Sequence, residues 1–121
     1  MKKTVIIGAS PNPQRYSFLA TGMLQNKGIT TLPLGIREGK IGETNILPLQ
    51  ERPKLEDVHT ITLYLNPQNQ AQYIDYILSL KPKRVIFNPG TENEPFARQL
   101  TANGIVAMEA CTLVLLQTNQ Y

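Results

Sequence analysis

The sequence has no tryptophan, one cysteine and one histidine. Each scarcity excludes a kind of chemistry. A single cysteine, Cys111, rules out an internal disulfide, which suits a reducing, cytoplasmic setting. With His59 it is too little for a common structural zinc site, so no metal is expected. No apolar run approaches the ~18 residues of a membrane span. The opening MKKTVIIG has only four apolar residues ahead of Gly8, too few for a signal peptide, and reads instead as a buried first strand. Internal repeats, low-complexity stretches and basic runs interleaved with aromatics are all missing, which argues against nucleic acid as a partner.

What is present suits one globular domain over residues 1–121. A chain of this size buries roughly two thirds of its unfolded surface and supports a core alone. Net charge is +3, unevenly spread. Residues 1–40 carry six basic side chains and one acid, Glu38, whereas the rest carry six basic and eight acidic ones. The skew suits an anionic ligand gathered near the amino-terminal third, or it reflects solvated lysines.

Apolar runs alternate with helical patterns, as βα units on a parallel sheet do. TVIIG, ITTLPLG, HTITLYLN, RVIFN and IVAME read as five strands. Helices are expected from about Ser17 to Lys27, with Phe18, Leu19, Met23 and Leu24 inward, then after Asn66-Pro67, with Ala71, Ile74, Ile77 and Leu78 inward, and from Pro95 to a stop at Gly104. Residues 36–57 read as a long crossover with a little local structure, and the tail CTLVLLQTNQY as a half-helix or an extended edge. The expected fold is α/β: a Rossmann-like, doubly wound parallel sheet of five strands in the order 3-2-1-4-5, between two helical layers. Ligands on such sheets bind outside the carboxyl ends of the strands, where the order reverses. That rule selects residues 8–17, Asn66-Pro67 and Asn88-Pro89-Gly90.

The first turn, GASPNPQRYS, has the composition of a phosphate seat. Gly8 permits positive φ and close approach to the backbone. Ala9 and Ser10 keep the turn narrow, their N–H groups can meet an anion, and the Ser10 hydroxyl can donate as well. Pro11 and Pro13 stiffen the loop around Asn12, so less entropy is lost on binding. Arg15 offers a planar fork for phosphate oxygens, Tyr16 follows it, and Ser17 suits a helix N-cap. The plain reading is a tight strand-to-helix turn with a surface arginine. The dinucleotide fingerprint GxGxxG is not matched: it requires glycines where Ser10 and Pro13 stand. The second strand ends in Leu34-Gly35 with no acid to grip a ribose 2′-OH, and Arg37 and Lys40 lie just beyond. Several phosphates and an ungripped ribose diol fit coenzyme A, with its 3′-phosphate, better than NAD.

GASPNPQRYS resembles the G-A-S-x-x-x-x-R-x-S signature of small stand-alone CoA-binding proteins, similar to the nucleotide-binding domain of the succinyl-CoA synthetase α subunit. The likeness continues in IGETNILPL (41–49), in FNPGTEN (87–93) and at Cys111. It implies that Gly8, Ser10, Arg15 and Ser17 surround the phosphates of coenzyme A or an acyl-CoA. It also implies that the ends of the second and third strands flank the adenosine, through Leu34, Gly35, Arg37 and Lys40 and through Tyr64, Asn66 and Pro67. Asn88, Pro89 and Gly90 then close the crevice. The chain departs from the family's usual V-N-P at Leu34-Gly35-Ile36, from its glutamine at Asn88 and from its charged ending at residues 112–116.

No catalytic set assembles. His59 lies at the amino end of a strand, and Cys111 lacks a nearby histidine. Glu92 and Glu94 suit a helix start better than acid–base work, and Tyr64 reads as packing or as a stacking surface for a base. The expected function is binding of the nucleotide as a sensor, carrier or partner module, with a second copy, as a homodimer, or an unidentified protein as its partner. The competing readings are a small NAD(P)-dependent oxidoreductase and an interaction module with a degenerate crevice, whose apolar LVLL tail pairs with another copy.

Overall fold

The computed structural model describes residues 2–121. Strand β1 (Thr4–Ile7) is buried along its whole length, as its unbroken apolar run requires. Helix α1 (Tyr16–Asn26) follows, then β2 (Thr31–Gly35). A two-residue hairpin, β3 (Lys40–Ile41) with β4 (Thr44–Asn45), leads to β5 (Leu47–Pro48) and a 3-10 turn over Leu49–Glu51. After β6 (Thr60–Leu63) the chain runs through α2 (Pro67–Gln70), a 3-10 turn over Ala71–Tyr73 and α3 (Ile74–Ser79). Next come β7 (Arg84–Phe87), α4 (Glu94–Ala102), β8 (Val106–Glu109) and α5 (Thr112–Gln117), which settles the tail as a short helix.

The main sheet is parallel throughout, in the order β5-β2-β1-β6-β7-β8. The α/β, Rossmann-like class is as expected, but the strand count and order are not. Leu47–Pro48 adds a sixth strand at the edge beside β2. The segment read as the third strand, β6, therefore pairs directly with β1 instead of lying outside β2. A two-residue strand leaves no periodicity to detect, so the later strands are displaced by one place in the order.

Side chains of β1 alternate between two cores. Val5 and Ile7 face a cluster with Tyr73, Tyr76, Ile77, Phe96 and Leu100, where the Phe87 and Phe96 rings meet edge to face at 5.7 Å. Ile6 faces Leu24 and Leu116 beneath α1 and α5. The buried face of α1 is Ser17, Ala20, Thr21 and Leu24, whereas Leu19 is exposed. Leu24 is fully buried and Phe18 and Met23 pack half-buried on the same core as expected, while the small Ser17, Ala20 and Thr21 complete the buried face. After β6, Ile77 is buried and Ile74 and Leu78 pack half-buried against the core as expected, Tyr73, Tyr76 and Leu80 join them, and Ala71 is exposed. No helix among the described residues is long and apolar enough to cross a membrane.

Candidate functional site

A crevice of about 530 Å3 opens outside the carboxyl ends of β1, β2, β6 and β7, where the strand order reverses. Its lining contains Arg15 and Arg37 and no carboxylate. The first turn supplies Gly8, Ala9, Ser10, Asn12, Arg15, Tyr16 and Ser17.

This turn is held by its own hydrogen bonds. The Gly8 and Ala9 N–H groups both donate to Leu34 O, at 3.0 and 2.9 Å. Asn12 N donates to Ser10 Oγ, Gln14 N to Asn12 Oδ1 and Arg15 N to Asn12 O, at 3.1, 3.0 and 3.0 Å. The Ala9 amide expected to face an anion is therefore consumed by β2. Ser10 keeps its N–H without a partner among the described residues, and its hydroxyl hydrogen remains available. A second correction concerns Ser17. The N-cap of α1 is Arg15, in extended conformation and with no side-chain cap, while Ser17 lies inside the helix, buried. The first-turn N–H groups of α1 consequently have no internal acceptor, and Tyr16 and Ser17 bring that end of the helix into the crevice. Arg15 and Arg37 are exposed and have no ion-pair partner among the described residues.

Two glycines make the turn. Gly8 has φ +97°, and a Cβ there would sit 3.0 Å from the Tyr64 carbonyl carbon. Gly35 needs no unusual φ, but a Cβ on it would lie 2.2 Å from Ala9 O. Gly35 is thus a packing position that lets the first turn lie on the end of β2.

β1 separates two walls, because β2 and β6 lie on opposite sides of it. The wall beyond β2 is formed by Ile36, Arg37 and the fully buried Leu49. The opposite wall is formed by Tyr64, Leu65 and Asn66 after β6, and Pro89, Gly90 and Thr91 after β7. The two segments expected to flank one adenosine therefore face each other across the crevice. Tyr64 packs in the core under α1 and α5. Burial pushes its hydroxyl up to about 12, so it stays protonated.

Five expected residues lie outside the lining. Leu34 is buried and serves through its carbonyl, and Gly35 serves the packing just described. Lys40 sits in the β3 hairpin and Pro67 is the first residue of α2, both exposed. Asn88 is turned inward: Nδ2 donates to Thr62 Oγ1 (2.6 Å) and Leu63 O (2.8 Å), and Oδ1 accepts from Thr112 N (2.9 Å). It joins β6, β7 and the start of α5 beneath the crevice. Ile36, Leu49, Leu65 and Thr91 line the crevice and were not named as site residues; Ile36 follows a strand end directly, and Leu49 and Thr91 lie in the stretches IGETNILPL and FNPGTEN that carry the resemblance. Of the weighed acids, Glu92 accepts from Gly90 N at 2.9 Å and Glu94 pairs with Arg98 at 2.7 Å. His59 lies at the amino end, bonded to Thr60 Oγ1 at 2.8 Å, and Cys111 is the half-buried N-cap of α5.

A family model described as a CoA binding domain matches residues 2–117. No curated protein matches the chain. A crystal structure of an uncharacterized protein is 50% identical, with 100% of this chain and 98% of that one covered at a TM-score of 0.96. A conserved hypothetical protein from Pyrococcus furiosus is 26% identical, covering 94% and 98%, at a TM-score of 0.80. A Thermus thermophilus protein at 17% identity, covering 99% and 90%, shares the fold at a TM-score of 0.81.

Proposed function

The chain belongs to the CoA binding domain family, and from that premise we propose that it holds coenzyme A, free or acylated, in the crevice at the carboxyl end of the sheet. The diphosphate sits against the Ser10 N–H, the uncapped start of α1 and the Arg15 guanidinium. One observation carries this reading: a helix start with no internal cap lies beside an unpartnered arginine in a lining without carboxylates. Arg37 takes the 3′-phosphate on the β2 side, where the exposed Ile36 offers an apolar face to the adenine. The twelve first-turn and wall residues expected from the sequence and found in the lining form the proposed site, joined by Ile36, Leu49, Leu65 and Thr91. The role is binding, as a sensor, carrier or partner module. Among the described residues the lining holds no histidine, carboxylate, lysine or cysteine to serve as a general acid or base.

Thermal unfolding with CoA, dephospho-CoA and NAD tests the proposal. CoA at a hundred times its Kd should add about 2.7 kcal/mol, dephospho-CoA less at equal concentration and NAD nothing measurable. Absence of any stabilisation by millimolar CoA would overturn it.

A further inference from the structure

We propose that Gln70 is the positioning residue of the crevice wall formed by the loops after β6 and β7, a proposal that rests on the CoA reading. Leu65 and Asn66 come from one loop, and Pro89, Gly90 and Thr91 from the other. β6 and β7 pair as far as Leu63 and Phe87, and Asn88 ties their ends together, but both stretches run beyond that pairing, so their spacing farther out is set by other contacts. Thr91 bonds to Asn88 O through both N–H and hydroxyl, which shapes its own loop only.

Gln70 crosses the gap. It is fully buried, and Nε2 donates to Leu65 O at 2.8 Å and to Thr91 O at 2.7 Å. Its Oε1 accepts from Asn93 Nδ2 at 2.9 Å, and Asn93 Oδ1 accepts from Phe96 N at 3.3 Å, capping α4. The orientation of both amides follows from the backbone. Two carbonyls require donors, a helix N–H requires an acceptor, and a flip of either amide puts oxygen against oxygen or nitrogen against nitrogen. Every polar atom of Gln70 is engaged, so the side chain has one setting, and it fixes both loops and the start of α4 together.

The strand order assigns this wall a task. With the diphosphate on the first turn and the adenosine toward β2, the pantetheine arm leaves on the β6–β7 side. Gln70 sets the width of that exit without touching the ligand. A preformed wall spares the arm the cost of ordering two loops.

The test compares CoA with adenosine 3′-phosphate 5′-diphosphate, which is CoA without its pantetheine arm. In Gln70→Leu, CoA affinity should fall about tenfold, while the truncated ligand binds within about twofold of wild type. In the ligand-free protein, amide exchange at Gly90 and Thr91 should speed up. Asn93→Asp keeps the oxygen that caps Phe96 N but loses the donor to Gln70, so it should shift both readouts the same way by less, with the fold intact. Equal weakening of both ligands, or unchanged exchange at the loops in both variants, overturns the proposal. If wild type binds neither ligand, the CoA reading fails instead, and the exchange rates alone judge whether Gln70 spaces the loops.

Discussion

At the amino end of the sheet, Lys3 Nζ donates to Glu56 O at 2.7 Å, and Lys2 Nζ donates to Tyr121 O. Arg84 donates through Nε to Thr60 Oγ1 at 2.8 Å, and its guanidinium lies 4.4 Å from the centre of the Tyr121 ring, which lies over it. At the carboxyl end, Arg15 and Arg37 stand beside an open crevice and an uncapped helix start. Both ends are basic, so charge alone does not identify a site. What differs is whether the side chains are held by the fold or stand free beside an open crevice. At the amino end Lys2, Lys3 and Arg84 are tied to the fold, although Arg84 Nη2 is buried without an acceptor among the described residues, whereas Arg15 and Arg37 are exposed beside the crevice and available to an anion.

The strongest way to break this contrast is Gly35→Ala. The new Cβ meets Ala9 O, so the first turn lifts from β2. Stability should drop by about 2–3 kcal/mol by denaturant unfolding, with CoA binding lost. A variant of wild-type stability would mean that the turn does not depend on this close approach. Arg15→Ala sharpens the contrast from the other side. CoA affinity should fall by about 1.5–3 kcal/mol in calorimetry, with stability unchanged within about 0.5 kcal/mol. Lys3→Ala, at the opposite end, should leave CoA affinity as it was. Arg37→Ala should cost CoA about 0.5–1 kcal/mol and dephospho-CoA nothing, because the missing phosphate is its partner.

The smallest effect concerns His59. Burial, then the charges of Arg84, Lys2 and Lys83, hold its folded pKa below 6.5. The unfolded chain therefore takes up this proton first as the pH falls. Its contribution is complete above the unfolded value and declines as the pH drops through 6.5 toward the lower folded value. His59→Gln should flatten the decline in melting temperature between neutral pH and about pH 5. An unchanged slope would assign the acid sensitivity to other groups.

Much of the framework was legible because its causes are local. Four consecutive buried residues read as a strand buried on both faces, Gly8 as the turn that follows it, and Pro95 as a helix start. The crevice could be placed in advance because ligands follow strand ends in parallel sheets. Asn88 was misplaced for an instructive reason. A polar residue at a strand end can face the ligand or cap a neighbouring helix, and Thr112 N, which it satisfies, is 24 residues away. Gln70 gave no signal at all, since its partners Leu65, Thr91 and Asn93 come together only when β6 and β7 are side by side.

By itself, then, the order of residues determined the strands with their intervening helices, the parallel α/β class and the basic, glycine-led first turn. These follow from apolar runs, caps and backbone freedom within a few residues of one another. Only the tertiary structure decided that β5 takes the edge and β6 the centre, that Leu34 O claims the Ala9 amide, and that Gln70 joins two loops. Those outcomes depend on competition among donors and acceptors far apart in the chain, which is resolved when the strands pair.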